Sequence, residues 1–178
     1  MAARVTMGDL LDRLRMLIND PVGASSVFEP EALQQFLDAH RIDVIQYPLK
    51  YVSSIMPDGA VETHTFYMGV GDWESGATIT DSGGAVVAPD AEDAIVGRWD
   101  FVDDTDPPLY ITGGYYDLYA AAADALEARA GMVALQYDFS ADGATYNRSQ
   151  QMQALLALAR QYRGMARPTV VRMVRSDL

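Results

Sequence analysis

The chain has 178 residues, a length that suits one domain with a substantial core, and its hydrophobic fraction of 49% is typical of a folded globular protein. It contains no cysteine, which excludes disulfide bonds and thiolate metal sites. No apolar run approaches the roughly 18 residues that a membrane-spanning helix needs, and the first residues lack the apolar centre of a signal peptide.

The net charge of −12 is distributed unevenly along the chain. Residues 1–57 carry five basic and seven acidic side chains, residues 58–127 carry one and fifteen, and residues 128–178 carry seven and three. The acidic middle argues against a DNA-gripping face there, because binding to phosphates needs a basic surface. It is either a solvated surface or one half of a self-complementary contact, in which the basic end of one copy meets the acidic middle of another.

Two short helices are predicted at the start of the chain. The first runs from about Met7 to Ile18, where apolar residues recur at helical spacing after Thr6, a suitable N-cap. The second opens at Pro30, a residue that suits the first helical position, and runs toward Val44.

From 44 to 111 the composition changes to β-branched and aromatic residues, which predict five or six short strands. "VIQYPLKYVSSI" and "VETHTFYMGV" are joined by the turn-forming "MPDGA", and "ATIT" and "AVV" flank "DSGG". The loop "GVGDWESG" is predicted to bury Trp73. Because these strands do not alternate with helices, the sheet is expected to be antiparallel.

Two longer helices follow. The third is predicted from about 112–115 to Leu135 and is rich in alanine, the residue with the best helix propensity, and the fourth runs from about Arg148 to Gly164. The predicted fold is therefore α+β: a four-helix bundle of residues 1–43 and 112–167, an inserted antiparallel β lobe of residues 44–111, and an extended C-terminal arm of residues 168–178.

Few residues of the sequence indicate a catalytic or metal-binding site. His40 and His64 lack zinc-ligand spacing, and no Gly-x-Ser-x-Gly nucleophile motif is present. The acidic loop could hold a hard cation, but it lacks the glycine and distal glutamate of a calcium loop, so a solvated loop is preferred. Its members are Asp100, Asp103, Asp104 and Asp106. We expect no catalytic residue, no cofactor and no metal; the enzymatic alternative is a small acidic hydrolase that uses Asp103 and Asp106.

Three stretches, which cover a little under half of the chain, resemble the head–tail connector (adaptor, or head-completion) proteins of tailed bacteriophages. They are "LLDRLRMLINDP" followed by "FEPEALQQFLDAHR", then "LYITGGYYDLYAAAADALEARA", and finally "YDFSADGATYNRSQQMQALLALARQYR". None is a catalytic signature, and the order of the elements carries the resemblance. The β section is longer than in small members of this class.

The resemblance implies a non-enzymatic structural protein of the virion neck, made in the bacterial host cytoplasm. Such adaptors form homo-oligomeric rings, typically of twelve copies, that join the portal protein to the tail or tail-stopper. DNA passes through the ring during packaging and ejection without sequence-specific binding, and no membrane is involved. The alternative within the virion is a tail-terminator or another neck protein.

Two segments are predicted to contact the portal or a neighbouring subunit. The arm is β-prone, alternates apolar residues with arginine and lacks a partner strand nearby in the sequence, so it could add a strand to another chain rather than remain a disordered tail. Its contact residues are Pro168, Val170, Val171, Arg172, Met173, Val174 and Arg175. The junction between the last two helices is the second segment, represented by Phe139, Tyr146 and Arg148; it is either a plain turn or a contact held in one shape.

Overall fold

The computed structural model describes residues 3–135, 139–141, 144–146 and 148–167. This part of the chain is α+β, with four α-helices after a short 3-10 turn at Val5–Met7. The helices are α1 (Gly8–Ile18), α2 (Pro30–Asp38), α3 (Leu118–Ala134) and α4 (Arg148–Met165). The strands are β1 (Arg41–Pro48), β2 (Lys50–Ile55), β3 (Val61–Tyr67), β4 (Thr78–Thr80), β5 (Ala91–Asp93), β6 (Arg98–Asp100), β7 (Tyr110–Tyr116), β8 (Phe139–Ala141) and β9 (Ala144–Tyr146).

The strands of the described chain form antiparallel sheets. One sheet has the order β1-β7-β4, the second has the order β2-β3-β6-β5, and β8 pairs with β9 in a two-stranded hairpin. The predicted hairpin around 56–60 is confirmed, since Lys50 lies opposite Tyr67 and Ile55 lies opposite Val61. Its turn contains Gly59 at φ 88°, a left-handed conformation that glycine adopts without steric cost.

The prediction of a four-helix bundle with an inserted β lobe is wrong. Strand β1 follows α2 after only two residues, and its partner β7 leads directly into α3. Arg41 lies opposite Tyr116 at one end of this pairing, and Pro48 lies opposite Tyr110 at the other. The β1-β7-β4 sheet therefore adjoins the helices, and the fold is an α+β structure with substantial sheets.

Local chemistry explains why α3 begins later than predicted. Gly113 and Gly114 disfavour helix and lie in strand β7. The side chain of Asp117 then accepts a hydrogen bond from the backbone N–H of Ala120 at 3.0 Å, which caps the helix at Leu118. The alanine run predicted a helix correctly, but the residues before it belong to the sheet.

The helices share one core with the end of β7. Its fully buried members include Leu10 and Leu14 of α1, Leu33 of α2 and the ring of Tyr116. Four consecutive alanines of α3 are also buried, which allows the neighbouring helices to approach α3 closely. Helix α4 packs on the edge of this core: its buried Ala159 belongs to the core, and Leu155, Leu158 and Tyr162 pack against it while partly exposed.

A second core fills the space between the sheets. Trp73 and Trp99 are both buried and pack edge to face, with ring centroids 5.6 Å apart and an interplanar angle of 84°. Phe66 and Phe101 make a similar contact. The burial of Trp73 that the sequence predicted is confirmed.

Candidate interaction surface

Large apolar side chains are exposed along two consecutive edge strands, β1 and β2. Each strand has a neighbour on only one side, because β1 begins the order of one sheet and β2 begins the order of the other. Eight of the eighteen exposed large hydrophobic residues in the described chain lie between positions 42 and 61. We call this set the edge surface; it consists of Ile42, Ile45, Tyr47, Tyr51, Val52, Ile55, Met56 and Val61. Single exposed apolar residues are ordinary, but eight within twenty consecutive residues make this region the candidate interaction surface.

A β-bulge in β1 accounts for part of this exposure. The β1 register shifts between Val44 and Tyr47, and Gln46 adopts φ 49° while its N–H donates to the hydroxyl of Thr112 at 3.0 Å. Ile45, beside this irregularity, is 80% exposed. Bulges redirect side chains and interrupt the row of backbone groups that an added strand would use. The edge surface is therefore suited to side-chain packing rather than to extension of the sheet.

The second edge strand, β2, also has an irregular register with its partner, but here the extra residue is His64 of β3. Its register shifts between Val52 and Ser53, and Ile55 at its end is 79% exposed. Pro48, just before it, lacks an N–H that could pair with another strand. Lys50 is exposed here and is the only lysine in the chain.

A polar network lies at the end of the β1–β7 pair that adjoins the helices, where Tyr116 ends β7. The carboxylate of Glu74 accepts hydrogen bonds from Arg4 Nε at 3.0 Å, from the Thr6 hydroxyl at 2.6 Å and from the Tyr116 hydroxyl at 2.7 Å. Burial raises the pKa of Glu74, but these hydrogen bonds and the Arg4 charge outweigh burial, so the net shift is downward. Burial, followed by the bond to Glu74, raises the pKa of Tyr116 and keeps its hydroxyl protonated as the donor. Thr6 therefore acts in this network, not as the predicted N-cap of α1.

A second network lies beside a cleft of about 570 Å³ between the helices and β1. His40 Nε2 lies 2.6 Å from Asp124 Oδ2, and Arg163 Nη2 donates to Asp124 Oδ1 at 2.6 Å and to Glu127 Oε2 at 2.9 Å. The hydrogen bond to Glu127 is the main cause that raises the pKa of Arg163. These contacts hold α4 and the end of α2 to α3, and His40 is the partly buried, hydrogen-bonded histidine that the sequence predicted.

Two carboxylates of the acidic loop accept hydrogen bonds from strand β3. Asp100 accepts a hydrogen bond from the Thr65 hydroxyl at 2.7 Å, and Asp104 accepts one from the backbone N–H of Thr63 at the same distance. Asp103 and Asp106 are exposed. Across the described residues, no group of three or more histidine, aspartate or glutamate side chains is arranged to hold a metal ion.

The structure brings some of the predicted contact residues together. Phe139 lies opposite Tyr146 in the β8–β9 hairpin, and Arg148 begins α4 two residues later, partly exposed. The arm residues Pro168, Val170, Val171, Arg172, Met173, Val174 and Arg175 lie outside the described residues.

Sequence reasoning did not identify the edge surface. Residues 42–56 carry apolar side chains at both odd and even positions, including Ile42, Ile45, Val52 and Ile55. Successive side chains of a strand point to opposite faces, so a strand with one buried face cannot bury such a set. That pattern could have indicated an exposed apolar face.

No protein-family model matches the chain, and neither a curated protein nor a solved structure is significantly similar to it. None of the helices in the described ranges combines the length and the apolar character that crossing a membrane would require. The features of this molecule that bear on its function are therefore the edge surface and the two polar networks.

Proposed function

We propose that this protein is a structural subunit that assembles with other copies of itself through the edge surface. The assembly that we propose is the head–tail connector ring of a tailed bacteriophage, as the sequence resemblance implies. One observation carries the proposal of self-assembly: six large apolar residues are exposed on the two edge strands β1 and β2, and Met56 and Val61 beside β2 are exposed as well.

The energy available from covering this surface is large enough to support assembly. Full burial of an isoleucine contributes about 1.5–3 kcal/mol. Ile45 and Ile55 are 80% and 79% exposed, so covering both would contribute roughly 2–5 kcal/mol before the cost of association is subtracted. The other six residues would supply further area toward the roughly 800 Å² per partner of a standard interface.

The charge distribution supports a ring around DNA. A channel wall that lets DNA pass needs little attraction for phosphates, and residues 58–127 have fifteen acidic and one basic side chain. Within this proposal, the arm of residues 168–178 binds the portal, and another face of the ring binds the tail or tail-stopper.

The test is the mass of the protein in solution. Native mass spectrometry and sedimentation velocity are expected to show a homo-oligomer for the unmodified protein and a monomer for the double variant Ile45→Asp/Ile55→Asp. Val86→Asp is the matched control, because Val86 is 71% exposed on the β part of the molecule but lies outside the edge surface. It should keep the oligomer intact.

Two results would contradict the proposal. One is an unmodified protein that remains monomeric up to its highest soluble concentration. The other is an oligomer whose mass is the same in the double variant and in the unmodified protein. Each variant is expected to retain its fold, because the substituted side chains are already solvent-exposed. Circular dichroism measures this.

A further inference from the structure

A ring needs two different contact patches on each subunit. When more than two copies are related by one rotation, each interface joins one patch to a different patch on the next copy. The edge surface supplies one patch, so the proposed self-assembly requires a second. The assignment of that second patch rests on the proposed function.

The candidate for the second patch lies at the end of the helices that is remote from the sheets. Helix α1 begins beside the β part, where the backbone N–H of Ser75 donates to the carbonyl of Thr6 at 3.3 Å. Its other end meets the far part of α3, since Arg129 Nη1 donates to the carbonyls of Ile18 at 3.2 Å and Asn19 at 3.4 Å. The 17 residues of α3 extend roughly 25 Å away from the sheet that leads into it.

An open groove of about 550 Å³ lies at this remote end. Met16 and Val22 line it and are 74% and 78% exposed. Its shape is fixed by a buried ion pair, in which Arg15 Nη1 donates to Asp20 Oδ2 at 3.1 Å. An exposed apolar groove on a rigid floor is suited to receive apolar side chains.

We propose that this groove receives the edge surface of a second copy of this chain, so that the copies join head to tail. The two patches carry charges of opposite sign that can pair. Residues 41–61 carry Arg41, Lys50, Asp43 and Asp58, a net charge of zero in a chain whose total is −12, and Arg41 is already paired with Asp43 at 2.8 Å. The groove is lined by the exposed carboxylate of Asp12, and neither Asp12 nor Lys50 has an ion-pair partner in the part of the chain that is described.

The acidic β region does not suit this groove. Residues 62–106 carry eleven acidic side chains and one basic side chain, a net charge of −10. Like charges placed opposite each other reduce affinity and slow association. The edge surface, by contrast, combines exposed apolar side chains with the only lysine of the chain.

The decisive experiment mixes two variants, each of which lacks one patch. Met16→Asp/Val22→Asp removes the groove patch and leaves the edge surface intact, and Ile45→Asp/Ile55→Asp does the reverse. Each variant alone is expected to be monomeric. An equimolar mixture is expected to give a heterodimer and nothing larger, because the pair retains one working interface. Val5→Asp is the control for the groove, since Val5 is 96% exposed on the turn before α1 and does not line the groove.

Cross-linking provides an independent readout. A carbodiimide joins a carboxylate directly to an amine, and Lys50 carries the only side-chain amine of the chain. An equal mixture of nitrogen-15-labelled and unlabelled protein is expected to yield a Lys50–Asp12 amide that joins peptides of different isotopic label. Lys50→Gln should abolish this product.

The outcomes separate this inference from the proposed function. If the edge variant dissociates while the groove variant keeps the full assembly, self-assembly stands and the groove is not its partner. If the mixture of variants stays monomeric, the groove and the edge surface do not bind each other, and the head-to-tail contact is wrong. If the groove variant alone forms a homodimer, the edge surface contacts itself, and the head-to-tail contact is also wrong. If neither variant alters the oligomer, both proposals fail.

Discussion

Replacing Asp20 with alanine is expected to destabilise the protein strongly. Asp20 follows α1, is 1% exposed, and accepts hydrogen bonds from Arg15 Nη1 at 3.1 Å, from the N–H of Val27 at 2.6 Å and from the N–H of Phe28 at 3.1 Å. These contacts fold the loop between α1 and α2 back onto α1. The same loop contributes Val22 to the groove proposed above.

The expected cost follows from what the substitution leaves behind. The side chain of Arg15 is 8% exposed, and without Asp20 it becomes a buried charge without an acidic partner. Removal of one member of a buried ion pair costs about 3–5 kcal/mol. The bonds that Arg15 keeps to Ser26 Oγ at 2.8 Å and to the Phe28 carbonyl at 2.9 Å favour the lower end of that range. A protein of this size loses about 2–4 °C in Tm per kcal/mol, so a decrease of roughly 6–20 °C is expected.

Urea unfolding followed by circular dichroism measures this cost. Asp9→Ala is the control, because Asp9 is exposed in the first turn of α1 and contributes about 0.3–1 kcal/mol through the helix dipole. The double variant Arg15→Met/Asp20→Ala removes the unpaired charge. Its loss in the free energy of unfolding is expected to be about 1–3 kcal/mol smaller than the sum of the losses in the two single variants.

A loss of less than about 1 kcal/mol in Asp20→Ala would refute this reasoning, since that is the value of an exposed pair. Strict additivity in the double variant would also refute it. Either result would mean that solvent reaches the Arg15 guanidinium and that the ion pair does not fix the shape of the groove.

Three further predictions concern the polar network, the arm and the acidic loop. The pKa of Glu74 is lowered in the folded state, so its stabilisation is complete above its ordinary value of 4.5 and is lost as the pH falls through the lowered value. Glu74→Gln should therefore cost about 1.5–3 kcal/mol in urea unfolding at neutral pH and progressively less in acid; an equal cost at both pH values would contradict this. Deletion of residues 168–178 should leave the helical circular-dichroism spectrum unchanged but abolish incorporation into portal-containing heads, and normal incorporation would show that the arm is not the attachment element. Asp103→Asn/Asp106→Asn should retain both folding and oligomer mass, because exposed charges contribute little individually, and loss of the oligomer would identify the acidic loop as an interface.

Local sequence patterns predicted several elements correctly. Pro30 begins α2, as the preference of proline for the first helical position indicates. The turn residues at 56–60 join the predicted hairpin, and the alanine run forms α3. Each of these depends on backbone preferences of neighbouring residues, which are present in the sequence itself.

The errors lie where distant residues compete with local preference. Residues 41–43 are predicted to belong to the helical part, yet Arg41 and Asp43 pair with β7 about 70 residues later in the chain. The hydroxyl of Thr6 is a suitable cap for α1, but it donates to Glu74 instead. The stabilisation of these contacts appears only when the two segments have come together, so no local pattern reports it.

The sequence by itself determined the helices, the hairpin, the absence of thiol chemistry and the segregation of charge, because propensity, turn chemistry and composition are properties of the chain. Only the tertiary structure decided which apolar residues remain exposed. Ile45 and Ile55 are exposed, whereas Ile79 and Ile111 are buried, although all four are isoleucines in β-strands. What separates them is the tertiary packing of each side chain: Ile79 and Ile111 lie in the core between the sheets, although β4 is itself an edge strand, whereas no other segment of the described chain covers Ile45 and Ile55.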